Sequence, residues 1–256
     1  MAITKTVWKD STRNGLSVEI AKDTTIQLTA SQPHLLCVGQ VRNGMYAWQR
    51  NIVTRMCSTY SPKQLQIIML DMRGEELKWA EKFPHITQYF EKPTQEEAQA
   101  VVDSLLQTRK ERLEAFDAVD VVSYRQYREF MRDPVMPTIV LYVSEYPKLV
   151  EYVGQETLDK LLNQSGKWGM QAFFVSQTSD QFEETADVLK HFSLRISNNA
   201  KSSVASTLFG MPITTGTQAT REFLLYTFPI QASKFPMIPD GVIESALNQM
   251  NNASDE

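Results

Sequence analysis

Cysteine, histidine and long apolar runs are all scarce in this 256-residue chain. Each scarcity removes a class of explanation. The two cysteines, Cys37 and Cys57, fall in apolar-periodic segments; they read as small buried side chains in a reducing compartment, not as a disulfide framework. The three histidines, His34, His85 and His191, stand far apart and follow no metal-ligand spacing, so no metal site is expected. No apolar stretch approaches the roughly 20 residues of a membrane span, and the opening "MAITKTVWKD" lacks the apolar centre of a signal peptide. A basic excess is missing too. The net charge is −4 and the pI about 5.5, which disfavours nucleic acid as a partner. What remains, 42% apolar and 22% charged residues, suits a soluble globular chain with a sizeable core.

Short apolar runs rich in β-branched and aromatic residues predict strands: "HLLCV" (34–38), "QIIML" (66–70), "TIVLYV" (138–143), "QAFFVS" (171–176), "FSLRIS" (192–197) and "FLLYTF" (223–228). Helical periods lie between them. Met45, Trp48, Ile52, Met56 and Tyr60 draw one stripe that stops near Ser61-Pro62. Thr94 to Glu97 resembles a capping box, followed by Ala98, Val101, Leu105, Leu106, Leu113 and Phe116. A third helix carries Leu158, Leu161 and Leu162, and a fourth spans about 185–191. Strands alternating with helices predict an α/β fold, a mostly parallel sheet covered on both faces. One domain is expected over 1–256: short edge strands in 1–30, the core in 31–230 and a C-terminal segment in 231–256. The start "MA" and the tail "NNASDE" would suit a piece of a longer protein.

One stretch carries chemistry in outline. In "GQVRNGMY" an apolar run ends at Gly39, Gly44 follows five residues later, and a helix begins at once. That is the layout of a phosphate-binding loop, G-x-x-x-x-G-K-S/T, whose lysine meets the phosphates and whose hydroxyl holds Mg²⁺. Here Met45 stands at the lysine position and Tyr46 at the hydroxyl position, with Arg42 and Asn43 inside the loop. Taken alone, the two glycines fit a plain strand–turn–helix equally well. Downstream, "IVLYVSEY" has the shape of a Walker B strand with Ser144 in place of the aspartate. Glu145 then reads either as the water-polarising position or as a solvated carboxylate at a strand end. Gln177, at the end of "AFFVSQ", sits either beside a γ-phosphate at the sheet's carboxyl edge or as a cap on the next helix.

In order along the chain, "QPHLLCVGQVRNGMY", "QIIMLDMRGEEL", "FPHI", "IVLYVSEY", "AFFVSQT" and "HFSLRISNNAKSS" resemble the motifs of the FtsK/SpoIIIE family of P-loop ATPases over about residues 30–230. Within it the chain is most similar to the degenerate C-terminal (third) ATPase domain of type VII secretion coupling proteins, the EssC/EccC-like group. The resemblance implies a P-loop NTPase (RecA/FtsK-like) fold. It also implies a cytoplasmic domain of a bacterial membrane-anchored parent, held to the membrane only through other parts. The partners it implies are WXG-type secretion substrates and neighbouring ATPase domains of the same chain and ring. It places the nucleotide loop at Gly39, Arg42, Asn43, Gly44, Met45 and Tyr46, the Walker B aspartate position at Ser144, and vestigial catalytic positions at Glu145 and Gln177.

Loss of the lysine and both metal supports removes on the order of 4–6 kcal/mol of phosphate and metal binding, about three to four decades in affinity. The expectation is therefore a non-catalytic module without bound cofactor, ATP and Mg²⁺ being confined to related domains of the parent. Arg42 or Arg50 could still reach a phosphate. Two alternatives stand beside this reading: a weakly active ATPase using Glu145 and Gln177, and a DNA translocase domain. Met45 and Tyr46 are expected to plug the nucleotide cavity. For partner docking, Tyr124, Tyr127, Phe130, Met131 and Met136 are candidates, although Tyr124, Tyr127 and Met131 also have the spacing of a core-facing helix.

Overall fold

Strands apolar on both faces pair in parallel when helices can cover each side. Six parallel strands, most of them of this kind, form the centre of this protein: β3 (Leu35–Gly39), β4 (Leu65–Asp71), β5 (Ile86–Glu91), β6 (Thr138–Ser144), β7 (Met170–Ser176) and β8 (Leu194–Asn198). They lie in the order β8-β3-β7-β6-β4-β5. Beyond β8 the sheet continues through β9 (Glu222–Leu225), antiparallel to β8, and β10 (Gln231–Lys234), antiparallel to β9. The computed structural model describes residues 8, 12, 14–40, 44–74, 77–132, 136–177, 186–214, 222–226, 230–234 and 236–254.

The period of two in β3 divides the core. Leu35 and Cys37 join Trp48, Ile52 and Met56 of helix α1 (Met45–Thr59) on one face. Leu36 and Val38 join Val101, Val102 and Leu105 of α2 (Gln95–Asp117) on the other. The second face also holds α3 (Tyr124–Met131), α4 (Tyr146–Val153), α5 (Gln155–Leu162) and α6 (Ser202–Phe209). The last helix, α7 (Asp240–Ser254), returns to the first face and buries Ile243, Ala246, Leu247 and Met250 there.

The capping box is formed: Thr94 Oγ1 accepts from the Glu97 N–H at 3.2 Å, and the Glu97 carboxylate accepts from the Thr94 N–H at 2.8 Å. Elsewhere the structure departs from the pattern. The N-terminal strands β1 (Leu16–Ala21) and β2 (Thr24–Leu28) do not extend an edge of the main sheet. They make a separate antiparallel hairpin, tied to α1 by Asn51 Nδ2, which donates to the Ile20 carbonyl at 2.7 Å. The fourth helix is a 3₁₀ segment, Ala186–His191, and Thr185 lies outside the described residues. At the end of α2 the stripe slips: Leu113 is 38% exposed, while Arg112 is buried. Strand β5 carries no strong apolar run, and no period in the sequence announces it.

Candidate functional site at the carboxyl edge of the sheet

Parallel pairing brings Gly39 opposite Asn198 and Asp71 opposite Ser144, and puts the residues after each strand on one rim. The loop enters α1 through Gly44, whose φ of 90° is readily available to glycine. Arg42 and Asn43 lie outside the described residues. Met45, the first residue of α1, is only 2% exposed and turns inward. Its sulfur sits 3.9 Å from Cys37 Sγ and receives the Asn198 side-chain N–H at 3.0 Å. A Cβ on Gly39 would lie 2.7 Å from that sulfur and 2.7 Å from the Asn198 carbonyl, so only glycine fits at the strand end.

Tyr46 goes the other way. It is 44% exposed, and its hydroxyl accepts from Arg50 at 2.9 Å. The Arg50 guanidinium stacks at 5.3 Å from the Tyr46 ring and 5.1 Å from the Trp79 ring, and pairs with Asp240 of α7. Of the two expected plugs, therefore, Met45 fills a slot in the core and Tyr46 stays outside. Arg50 is engaged across α1 and α7.

Across the rim, Ser144 is 1% exposed. Its Oγ donates to Asp71 Oδ1 at 3.0 Å and accepts the Met72 N–H at 3.1 Å. Asp71, itself fully buried, also accepts the N–H groups of Gly74 and Leu77 at 3.0 Å and the Tyr89 hydroxyl at 3.2 Å. Burial, with the Asp71 charge adding to it, pushes the Tyr89 hydroxyl up and keeps it a proton donor.

Glu145 is not a solvated carboxylate. It is 6% exposed, and Oε1 accepts the backbone N–H of Gln177 at 2.6 Å. Its φ of 55° is left-handed, a conformation that costs a non-glycine residue about 1–2 kcal/mol. Gln177 is 7% exposed at the end of β7, and its side-chain carbonyl accepts from Arg73 at 3.4 Å. The same Arg73 nitrogen stands 3.9 Å from Glu145. Residues 178–185, where Gln177 could have capped a helix, lie outside the described residues.

The rim thus gathers Arg73, Glu145 and Gln177 around one point, and Asp71 with Ser144 beside it. Arg73 and Asp71 belong to "LDMRG" and were not singled out by sequence, because a charged turn looks solvated. Chemically the arrangement offers a carboxylate, an amide and a half-exposed guanidinium. The Met45 thioether supplies no charge for phosphate, and the Ser144 hydroxyl is committed to Asp71 and not to a cation. Among the described residues, Met45 and Ser144 do not supply the contacts that Mg²⁺–triphosphate takes at these two positions.

The docking candidates divide. Tyr124 is 5% exposed, its hydroxyl 3.0 Å from the Met136 carbonyl and from Thr138 Oγ1. Tyr127 packs against Phe116 with ring centroids 5.2 Å apart, and Met136 joins the same core cluster. Only Phe130, 58% exposed, and Met131, 39% exposed, present apolar surface, together with Val122.

The profile of the FtsK/SpoIIIE family matches residues 4–197. No curated protein sequence matches. Among solved structures, the cytoplasmic domain of the Thermomonospora curvata type VII secretion ATPase EccC is similar over 95% of this chain and 32% of its own, with 19% identity and a TM-score of 0.75. EssC (ATPases 2 and 3) from Geobacillus thermodenitrificans is similar over 98% of this chain and 50% of its own, with 12% identity and a TM-score of 0.78. Thermomonospora curvata EccC (ATPases 2 and 3) in complex with a signal sequence peptide covers 91% of this chain and 44% of its own, with 12% identity and a TM-score of 0.66. The chain spans half or less of each of these proteins. At such identities they establish a shared P-loop NTPase-like fold. The family profile covers well over half of the chain, which therefore belongs to the FtsK/SpoIIIE family.

Proposed function

We propose that this chain is a non-catalytic ATPase-fold module of a type VII protein secretion motor, acting in substrate recognition and in assembly or regulation of the motor. The observation that carries this reading is Met45, packed 2% exposed under Gly39 where the family has its phosphate-binding lysine. The Asp71–Ser144 bond supports it, since it joins β4 to β6 through the hydroxyl that replaces the metal-supporting aspartate. In this reading neighbouring side chains hold the rim together without a nucleotide. The partners are WXG-type helical-hairpin substrates and adjoining ATPase domains, within a parent anchored to the membrane elsewhere; the likeness to a complex with a signal sequence peptide supports peptide recognition. Exposed Phe130 and Met131 suit apolar docking. The net charge of −4 speaks against DNA translocation.

Calorimetric titration with ATP and Mg²⁺ tests the nucleotide half of the proposal. The expected result is no saturable binding below about 1 mM, following from the three to four decades lost with lysine and metal supports; micromolar binding would overturn it. Capture of cognate secretion substrates tests the recognition half, and failure with every substrate of the system counts against it.

One observation favours a second reading, a weakly active ATPase. Arg73, Glu145 and Gln177 remain convergent at the carboxyl edge, where a water could be polarised. Phosphate release abolished by Glu145→Gln would favour this reading over the first.

A further inference from the structure

On the opposite rim, at the amino ends of β6 and β7, lies a cavity of about 510 Å³ whose lining includes Thr12, Ser123, Tyr124, Arg125, Thr138 and Gln171. Two arginines stand behind its wall. Arg112 and Arg128 are 6% and 8% exposed, and their guanidinium carbons lie 5.7 and 5.5 Å from the Tyr124 ring centroid. Arg112 donates to the carbonyls of Trp168, Gly169 and Pro137. Arg128 donates to the hydroxyls of Thr12 and Tyr124, both of which line the cavity. Among the described residues neither guanidinium is paired with a carboxylate.

Two buried positive charges with no counterion among the described residues are costly, because carbonyl and hydroxyl oxygens satisfy N–H groups but leave the charge uncompensated. Burial, with the like charge of Arg128 adding to it, brings the Arg112 guanidinium down to about 10, so it stays protonated at neutral pH. Further positive potential converges from the front. Arg125 lies on the cavity wall with its side chain 63% exposed, and α3 opens there through its N-cap Ser123, presenting the positive end of the helix dipole. Among the described lining residues there is no aspartate or glutamate.

We propose that this cavity is a binding site for a carboxylate, carried by a small acid or by an acidic residue of a peptide. A monoanion fits better than a phosphate dianion, because one guanidinium is at the surface while Arg128 is screened by hydroxyls and Arg112 by backbone carbonyls. The planar fork of arginine also matches a carboxylate. The space is that of a small-molecule site, not of a bare ion. Gln171 lies on the same wall, with its Nε2 donating to the Leu28 carbonyl at 3.1 Å, and the volume favours a probe larger than acetate. The inference is independent of the state of the phosphate loop.

The test is calorimetric titration of the whole chain, at fixed ionic strength, with sodium acetate, N-acetylglutamate amide and its uncharged isostere N-acetylglutamine amide. The expected result is saturable binding of the glutamate probe, weaker binding of acetate and none of the isostere. Acetate binding as tightly as the glutamate probe would assign the site to free acids. Arg125→Gln should weaken binding about tenfold or more, the loss of one charged hydrogen bond. Glu129→Gln, which releases Arg125 from its 3.1 Å ion pair, should strengthen it. Both positions are exposed, so neither variant threatens the fold. The proposal fails if no carboxylate saturates, if the isostere binds equally well, or if neither variant changes affinity.

Discussion

At the scale of single residues, Met45 and Ser144 account for most of what the rim has become. Met45→Lys would force an ammonium into a slot closed by Gly39, Cys37 and Asn198. Urea denaturation should show a loss of about 2 kcal/mol or more, whereas Met45→Leu, which keeps volume and polarity, should cost less than about 1.5 kcal/mol. Restoring the family lysine should therefore lower stability without creating a nucleotide site, and micromolar ATP binding by Met45→Lys would contradict the packing argument. Ser144→Asp would set two carboxylates side by side, since Asp71 is its register partner. The expected loss is about 1–3 kcal/mol at neutral pH, because Asp71 exchanges a donor for a like charge. That loss should shrink on acidification as one of the pair takes up a proton. Equal destabilisation at neutral and acid pH would point instead to a steric cause.

At the scale of elements, α1 is the hub, joined to the hairpin through Asn51 and to α7 through Arg50. Asp240 has a side chain 83% exposed, so the ion pair itself should couple by no more than about 1 kcal/mol in a double-mutant cycle. Arg50→Ala should nevertheless cost more than Asp240→Ala, because it also removes the stacking on Tyr46 and Trp79. A cycle giving equal single-mutant losses would show that the stacking adds nothing. The elements were the most legible part of the sequence. Buried parallel strands advertise themselves by continuous apolar runs, and Thr94 and Glu97 announced the start of α2. The phase of α1 was also informative: Met45 lies on the stripe with Trp48 and Ile52, while Tyr46 is one position off it and so faces solvent. The site was less legible, because the decisive groups contradict their type. Arg112 is buried beside an exposed Leu113, Arg73 reaches back from a turn, and Glu145 is covered in a left-handed conformation. Each of these depends on neighbours distant in the chain, which no local period encodes.

At the scale of the whole molecule, two buried histidines make the fold sensitive to acid. His34 accepts the Ala172 N–H at Nδ1, and its Nε2 lies 3.0 Å from Ser165 Oγ; burial pushes its pKa down to about 4. His85, with Nε2 at 2.6 Å from the Tyr60 carbonyl, is likewise lowered to about 4 by burial. The unfolded chain takes up these protons near 6.5, while the folded chain resists until about 4. Stability is therefore full above 6.5 and is lost as pH falls from 6.5 towards 4, by about 3 kcal/mol for each histidine at the lower end. Denaturation midpoints measured between pH 7 and 4.5 should fall accordingly, and His34→Gln should flatten that dependence. An unchanged pH slope in that variant would mean that His34 is not the responsible group.

The contact beneath Gly39 bears on how such proteins are recognised at all. A substituent at that strand end would strike both the sulfur and the Asn198 carbonyl, so selection on packing alone is enough to keep the position bare. On the proposed reading, the glycine signature of a phosphate loop outlasts its ligand because the Met45 filling demands the same outline. On that reading such glycines carry ancestry, and the letters next to them carry the information about what the loop does.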